Sequence, residues 1–356
     1  MSSPQTVYVG LSGGVDSAVS AALLQQQGYR VVGVYMQNWT QDVGGVACPW
    51  QQDLADARAV GASLGIPVKV FDFQDSYRQL VVDTMIAEYQ AGRTPNPDVL
   101  CNQYIKFQLF AEAARADGAD LIATGHYART HGGRLLKAAD PAKDQTYFLY
   151  RIQAGVLKYT LFPIGNLTKP QVRAEAAKLH LPNATKPDSQ GICFVGQVGI
   201  RDFLSQHVQA QPGPIIEAAT GQTVGQHAGA VYYTIGQRHG LGVGGGQPYF
   251  VTGKDMATNT VYVTIDPADL ILDTTTFEIS DCNWLGNQVP ETDQTYEFRL
   301  RHRGQLIPGK ISPGSTGNFR ITLATPERAV AAGQSAVVYD GDTVIGGGII
   351  STVSLN

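Results

Sequence analysis

Cysteine is scarce in this chain: four among 356 residues, with no Cys-x-x-Cys pair. That excludes a disulfide scaffold and a zinc ribbon. Long apolar runs are missing too, and none approaches membrane-spanning length. The opening residues, Met1 to Thr6, carry no basic cluster and lead straight into a strand pattern, so no signal peptide is expected. A cytoplasmic protein is the default. Positive charge is not in excess: 26 Lys and Arg stand against 30 Asp and Glu, a net charge of −4. This balance argues against bulk electrostatic binding of a polyanion and leaves room only for a local basic patch. No internal repeat or low-complexity tract stands out, and no pair of histidines has convincing metal spacing. What remains is a globular composition, 43% hydrophobic and 16% charged, long enough for two or three cored domains.

The stretch that organises the rest is Ser12-Gly13-Gly14-Val15-Asp16-Ser17. Before it, Thr6 to Leu11 reads as a buried strand. After it, Ala18, Ala21, Ala22 and Leu24 recur on one helical face, and Gly28 stops the helix begun at Val15. A strand, a glycine turn and a helix N-terminus make an anion site, because backbone N–H groups converge where the helix dipole favours negative charge. The Lys-Ser/Thr pair of a Walker A loop is absent. The complete SGGVDS string in this setting resembles the PP-loop of ATP pyrophosphatases, which split ATP between its α and β phosphates and hold the pyrophosphate.

Further strands are expected at Arg30 to Met36, Val68 to Phe73 and Asp120 to Thr124. Helices are expected at Asp53 to Leu64, from a Ser76/Gln79 capping box to Gln90, at Ile105 to Ala116, and from a Thr168/Gln171 capping box to about His180. Strands alternating with helices predict an α/β fold, a Rossmann-like doubly wound parallel sheet with its ligand at the carboxyl ends of the strands. A hairpin is expected around Gly132-Gly133. Near Gln209 the composition changes to short glycine-bounded strands, which suggests two small β-barrels: residues 1–208, 209–273 and 274–356 form the expected division. Expected strands include Ala230 to Ile235, Gln247 to Thr252, Asn259 to Ile265, Thr276 to Trp284, Tyr296 to Arg301, Gly317 to Ala324 and Ala336 to Tyr339.

Two cysteines sit in polar, proline-marked stretches. Cys101 follows Asn96, Pro97 and Asp98 in what reads as a proline-braced loop, and Cys193 ends a second loop. A thiolate with a carboxylate nearby suits nucleophilic and acid–base chemistry, whereas a buried structural thiol is the commoner fate of a lone cysteine. Asp98 is equally readable as a helix N-cap. Cys48 and Cys282 lack an acid–base setting, and His126 reads as a packing residue. Arg299, Arg301 and Arg303 alternate along an expected strand with His302 between the last two, either a solvated face or a phosphate contact.

Taken together, these stretches resemble the tRNA-specific 2-thiouridylases, which place sulfur on the wobble uridine. The resemblance runs through Met36-Gln-Asn-Trp39, Gly92 to Asp98 with Cys101-Asn102, Ala123 to Ala128 and Lys143 to Leu149. It continues in Ser189 to Phe194, Tyr233 to Leu241 and Arg301-His-Arg303. Departures are Gln37 for lysine, Thr146 for serine and His302 for tyrosine. The resemblance implies that Gly10, Leu11, Ser12, Gly13, Gly14, Val15, Asp16, Ser17, Met36 and Gly125 bind ATP, with Mg2+. It implies tRNA contacts at Asn96, Pro97, Asp98, Lys143, Asp144, Gln145, Arg301 and His302. Cys101 would be the nucleophile, Cys193 the carrier of persulfide sulfur and Asp98 the acid/base. The implied partners are tRNAs of the Glu, Gln and Lys type and a sulfur-relay carrier or cysteine desulfurase. Rival readings are a PP-loop ligase using an amine donor and a non-catalytic RNA-binding protein.

Overall fold

Thr6–Gly10 forms β1, buried on both faces as a central parallel strand requires, Val7 and Val9 on one and Tyr8 on the other. The computed structural model describes residues 3–187, 199–243, 247–266, 273–286, 289–292 and 294–353. Strand β1 lies between β2 (Arg30–Gln37) and β4 (Leu121–Ala123), with β3 (Val68–Asp72) outside β2. The hairpin β5 (Arg129–His131) and β6 (Arg134–Leu136) follows, and β7 (Thr160–Leu161) closes the order β3-β2-β1-β4-β7, all parallel. Between β1 and β4 the winding reverses, which opens a crevice at the carboxyl edge. Helix α1 (Val15–Gln26) rises from that crevice, with Val15, Ala18, Val19, Ala21, Ala22 and Leu24 buried against the sheet and its neighbouring helices. Helix α2 (Trp50–Leu64) begins three residues earlier than its apolar periodicity suggests and ends on Gly65 at φ +65°.

Two helical starts differ from expectation. The helix over 74–90 begins before Ser76, so the Ser76/Gln79 box does not form; the Asp72 carboxylate instead accepts the Gln74 N–H at 3.0 Å. More consequentially, helix 97–116 starts at Pro97, not Ile105, and takes π-helical turns over 101–109. Proline is favoured in the first turn, where its missing N–H would have had no partner. Asn96 stays extended (φ −116°, ψ 93°), as its flanking prolines require. The Thr168/Gln171 capping box does form, opening helix Lys169–Lys178 with Pro170 in its first turn.

Beyond residue 199, β8 (Gly213–Glu217), β9 (Thr223–His227), β10 (Phe250–Asp255) and β11 (Thr260–Thr264) form a sheet in the order β10-β11-β8-β9. The strand expected at Ala230 is a 3-10 turn, Ala230–Tyr232. Gly229 precedes it at φ +156°, and Asn259 caps the Ala230 N–H at 3.1 Å. Six strands then close a barrel: β12 (Asp273–Trp284), β13 (Thr295–Arg299), β14 (Ile307–Pro313), β15 (Phe319–Arg328), β16 (Ser335–Asp340) and β17 (Thr343–Val353), with β12 pairing both β15 and β17. The first unit is tied to this barrel at several points. Leu136 of β6 pairs Thr343 of β17, and buried Arg151, held within its own unit by Gln103 at 2.6 Å, bonds the Asp281 carboxylate at 2.7 Å.

Among the described residues, no helix is long and apolar enough to cross a membrane.

Candidate active site

The turn after β1 is built from its own hydroxyls. Ser17 Oγ accepts the Ser12 N–H at 3.2 Å and donates to the Gly14 carbonyl at 3.0 Å, while Gly13 takes φ +74°. A Cβ on Gly13 would lie 2.7 Å from the Asp53 carbonyl, so glycine is required twice over. No side chain caps the N-terminus of α1 at Gly14, which leaves its N–H groups and dipole facing the crevice. Gly10 leaves room for Met36, whose Cε would be 2.9 Å from a Cβ there. Gly125, at the end of β4, lies so close that a Cβ would be 2.6 Å from the Ser17 nitrogen. Gly10, Met36, Gly125 and the turn are thus one cradle, with Leu11 and Val15 buried beneath it.

Four residues around this cradle are not picked out by the sequence. Lys169 Nζ meets both oxygens of the Asp16 carboxylate at 2.8 and 2.9 Å, and the Tyr127 hydroxyl donates to Asp16 at 3.0 Å. Asn183 donates to the Gly13 carbonyl at 3.0 Å, and Lys186 reaches Asp53 at 2.8 Å and Asp56 at 2.6 Å on α2. The capping box marks where Lys169 stands, but nothing in spacing connects residue 16 to residue 169.

On helix 97–116, Asp98 and Cys101 are three residues apart and therefore share a face. This replaces the loop expected for Cys101, and Asp98 lies inside the helix rather than capping it. Cys101 is buried beside Tyr77, Val81, Ile105 and Phe203. Burial pushes the Asp98 carboxyl above its ordinary value, with the Lys106 charge pulling the other way. Burial holds His126 well below its ordinary value, helped by the same Lys106 charge. His126 bonds Thr124 at 2.8 Å and packs between Phe107 and Phe162. The Lys106 charge therefore bears on both Asp98 and His126, and His126 directly follows Gly125, which packs against the first turn of α1. Cys193 falls outside the described residues.

A second group gathers at the barrel. Asn96 bonds the Tyr147 hydroxyl, which donates to the carbonyls of Leu300 at 3.3 Å and Ser335 at 3.1 Å. His302 packs against Phe148 in a tilted arrangement with ring centroids 4.5 Å apart. Asn96 and residues 300–302 are so brought together, while Pro97 is buried. The expected alternation of arginines does not occur, because the strand ends at Arg299 and residues 301–303 turn, Arg303 at φ +60°. Arg299 points inward to Asp144 at 3.0 Å; Arg301 is exposed and pairs Glu327 at 2.6 Å. Asp144 also accepts the Ala138 N–H at 2.7 Å and the Thr146 hydroxyl at 2.6 Å. A carboxylate so enclosed holds its loop and offers no surface to RNA. Its neighbours Lys143 and Gln145 are part-exposed, and Gln145 accepts the Tyr127 N–H at 2.9 Å.

Residues 5–197 match the family described as tRNA methyl transferase HUP domain, 201–265 the tRNA methyl transferase PRC-barrel domain, and 274–350 the aminomethyltransferase beta-barrel domain. The tRNA-specific 2-thiouridylase MnmA of Nitrosomonas eutropha is 46% identical over 354 residues, covering 97% of this chain and 98% of its own. Its namesake in Cupriavidus metallidurans is 44% identical over 358 residues, covering 98% and 99%. The chain belongs to the tRNA-specific 2-thiouridylase family.

The three departures from the usual 2-thiouridylase pattern are accommodated locally. Gln37 uses its backbone carbonyl, which accepts the Phe73 N–H at 3.0 Å. Thr146 supplies the hydroxyl a serine would, toward Asp144 and, at 3.2 Å, Tyr339. His302 presents an aromatic ring, as a tyrosine would, with burial and the Arg303 and Arg299 charges holding its pKa low.

Proposed function

We propose that the chain is a tRNA-uridine sulfurtransferase that uses ATP to activate the C2 oxygen of the wobble uridine and replaces it with sulfur carried by Cys193. One observation supports this most directly. Helix 97–116, which carries Asp98 and Cys101, leads into parallel strand β4, so its first turns lie toward the carboxyl edge that holds the anion cradle, and its Phe107 ring packs 5.8 Å from His126, the residue after Gly125 of that cradle.

The chemistry needs both halves. The C2 oxygen of uracil is a very poor leaving group. Its attack on the α-phosphate of ATP forms an O–P bond, breaks the α–β bond and releases pyrophosphate. The activated base is neutral only if the N3 proton departs, and Asp98, whose burial raises its basicity, is the carboxylate assigned to take it. The PP-loop N–H groups hold the charge that develops on the phosphates. Asp16, half-buried at the mouth of the loop and already holding the ammonium of Lys169, is the carboxylate suited to a cation there. Magnesium bound at that point would supply neutralisation of phosphate charge.

Sulfur then attacks C2 and AMP leaves with the original oxygen. In one route the terminal sulfur of a Cys193 persulfide attacks directly, and Cys101 thiolate frees the product by attacking the inner sulfur. In the other, Cys101 first releases sulfide, which attacks. Either way Cys101 and Cys193 end as a disulfide, which a two-electron thiol reductant must reopen, and the proton returns to N3. The substrates assigned are wobble-uridine tRNAs of the Glu, Gln and Lys type, with sulfur from a relay carrier or cysteine desulfurase.

Nucleoside mass spectrometry after incubation with ATP, magnesium, wobble-uridine tRNA and a persulfide donor tests the reading. 2-Thiouridine should appear with stoichiometric AMP. Cys193→Ser should lose persulfide loading and product; product at the wild-type rate would overturn the sulfur assignment.

A further inference from the structure

The segment 181–187 crosses from helix Lys169–Lys178 to the PP-loop and α2, and it is fastened through Asn183, Ala184 and Lys186. Asn183, buried, donates to the Gly13 carbonyl at 3.0 Å. Lys186 bridges two carboxylates of α2, Asp53 and Asp56. From behind, Arg173 donates to the carbonyls of Ala184 at 2.8 Å and Lys186 at 2.6 Å. At its far end the helix also touches the loop, through Lys169 on Asp16. Gly13 itself abuts the Asp53 carbonyl, so the loop, the first turns of α2 and this strap bear on one another at a single point.

These tethers are more than a closed turn needs. A surface loop leaving a helix is usually held by its own turn hydrogen bonds, and here Ala184 and Lys186 already have them. A part-buried lysine spanning two carboxylates adds a charged link to α2, and Asn183 adds a link to a backbone peptide of the anion cradle. Cys193 is six residues beyond Pro187 in the sequence, and six residues of chain reach at most about 20 Å.

We propose that Lys186 is a positioning residue that couples the nucleotide state of the PP-loop to sulfur delivery. The strap fixes the point from which the chain to Cys193 departs, and it takes that fix from the Gly13 peptide and α2. A phosphate settling on the loop is then felt at Asn183 and Lys186. Activated uridine and sulfur are brought together in one step instead of independently. Without the link, activation would proceed and its product would be lost to water as AMP and unmodified tRNA. This rests on the proposed role of Cys193.

The test measures tRNA-dependent AMP release and 2-thiouridine formation in the same full-length reaction. Lys186→Met should raise AMP formed per 2-thiouridine several-fold, whatever happens to the absolute rate of AMP release, and Lys186→Arg should restore the ratio. Asp56→Asn, which removes one of the two carboxylates, should raise the ratio in the same direction and serves if the methionine variant does not fold. A ratio unchanged from wild type, or both products falling together in a folded variant, overturns the coupling. Cys193→Ser run alongside separates the two claims: product formed at the wild-type rate would overturn the sulfur assignment, whatever Lys186 does.

Discussion

Lys169 holds Asp16 through both carboxylate oxygens, at 2.8 and 2.9 Å, although 153 residues separate them. The pair sits at the mouth of the anion cradle, where the Lys169 side chain is only 12% exposed and its ammonium lies over the Tyr127 ring. A cation so placed is available to phosphate oxygens at the loop. Lys169→Met should lower tRNA-dependent AMP release by about a hundredfold, the usual cost of removing a preorganised group that stabilises developing charge. Lys169→Arg should recover part of it, and labelled-ATP turnover measures both. Equal turnover in the methionine variant would remove Lys169 from the nucleotide site.

Gly125 gives a steric counterpart. A methyl group there would stand 2.6 Å from the Ser17 nitrogen and 2.8 Å from the Asp16 carbonyl carbon, all of it backbone. Neither partner can swing aside, so Gly125→Ala must displace the first turn of α1 from β4. The expected cost is about 1–3 kcal/mol in chemical denaturation, together with loss of ATP turnover. An alanine variant with wild-type turnover would show that the cradle need not be this tight.

The sequence read well wherever chemistry is local. The SGGVDS turn, its flanking strand and helix, the Thr168/Gln171 box and the Gly132-Gly133 hairpin are set by neighbours in the chain, and they stand where expected. It read poorly where tertiary contacts decide. The turns of helix 97–116 ahead of Ile105 were hidden because Asn96, between two prolines, made the stretch to Cys101 read as a braced loop. Strand β17 was hidden by Gly346-Gly347-Gly348, which look like a loop but are glycines because Asn283, Ala336 and Cys282 press against the strand. Lys169, Tyr127, Asn183 and Lys186 were invisible because each finds its partner only after the sheet has wound.

Arg299 and Asp144 show the same point energetically. Their ion pair is almost wholly buried, with side-chain exposures of 11% and 2%, and it joins the loop after the β5–β6 hairpin to the barrel. Removing one partner strands a buried charge. Asp144→Ala or Arg299→Met should each cost about 3–5 kcal/mol, whereas the double variant should cost less than the sum, because no charge is then left alone. A double-mutant cycle in denaturant measures the coupling. Additive single effects would mean that the pair is solvated.

Asp98 links stability to catalysis through pH. Burial raises its carboxyl pKa, so between the unfolded and native values the folded chain binds more proton than the unfolded one. Stability from this group is therefore fully present below the ordinary carboxylate value and is lost as pH rises through the raised native value. Above that point the folded protein carries a poorly solvated charge, which is what a base at N3 of uracil needs. Asp98→Asn never ionises and should escape the penalty. Thermal unfolding should show the variant gaining on the wild type as pH climbs from the acid side, then levelling above the native pKa. The same substitution should abolish 2-thiouridine formation at every pH. An asparagine variant that loses stability relative to wild type as pH rises would reverse the sign and remove burial as the source of Asp98 basicity.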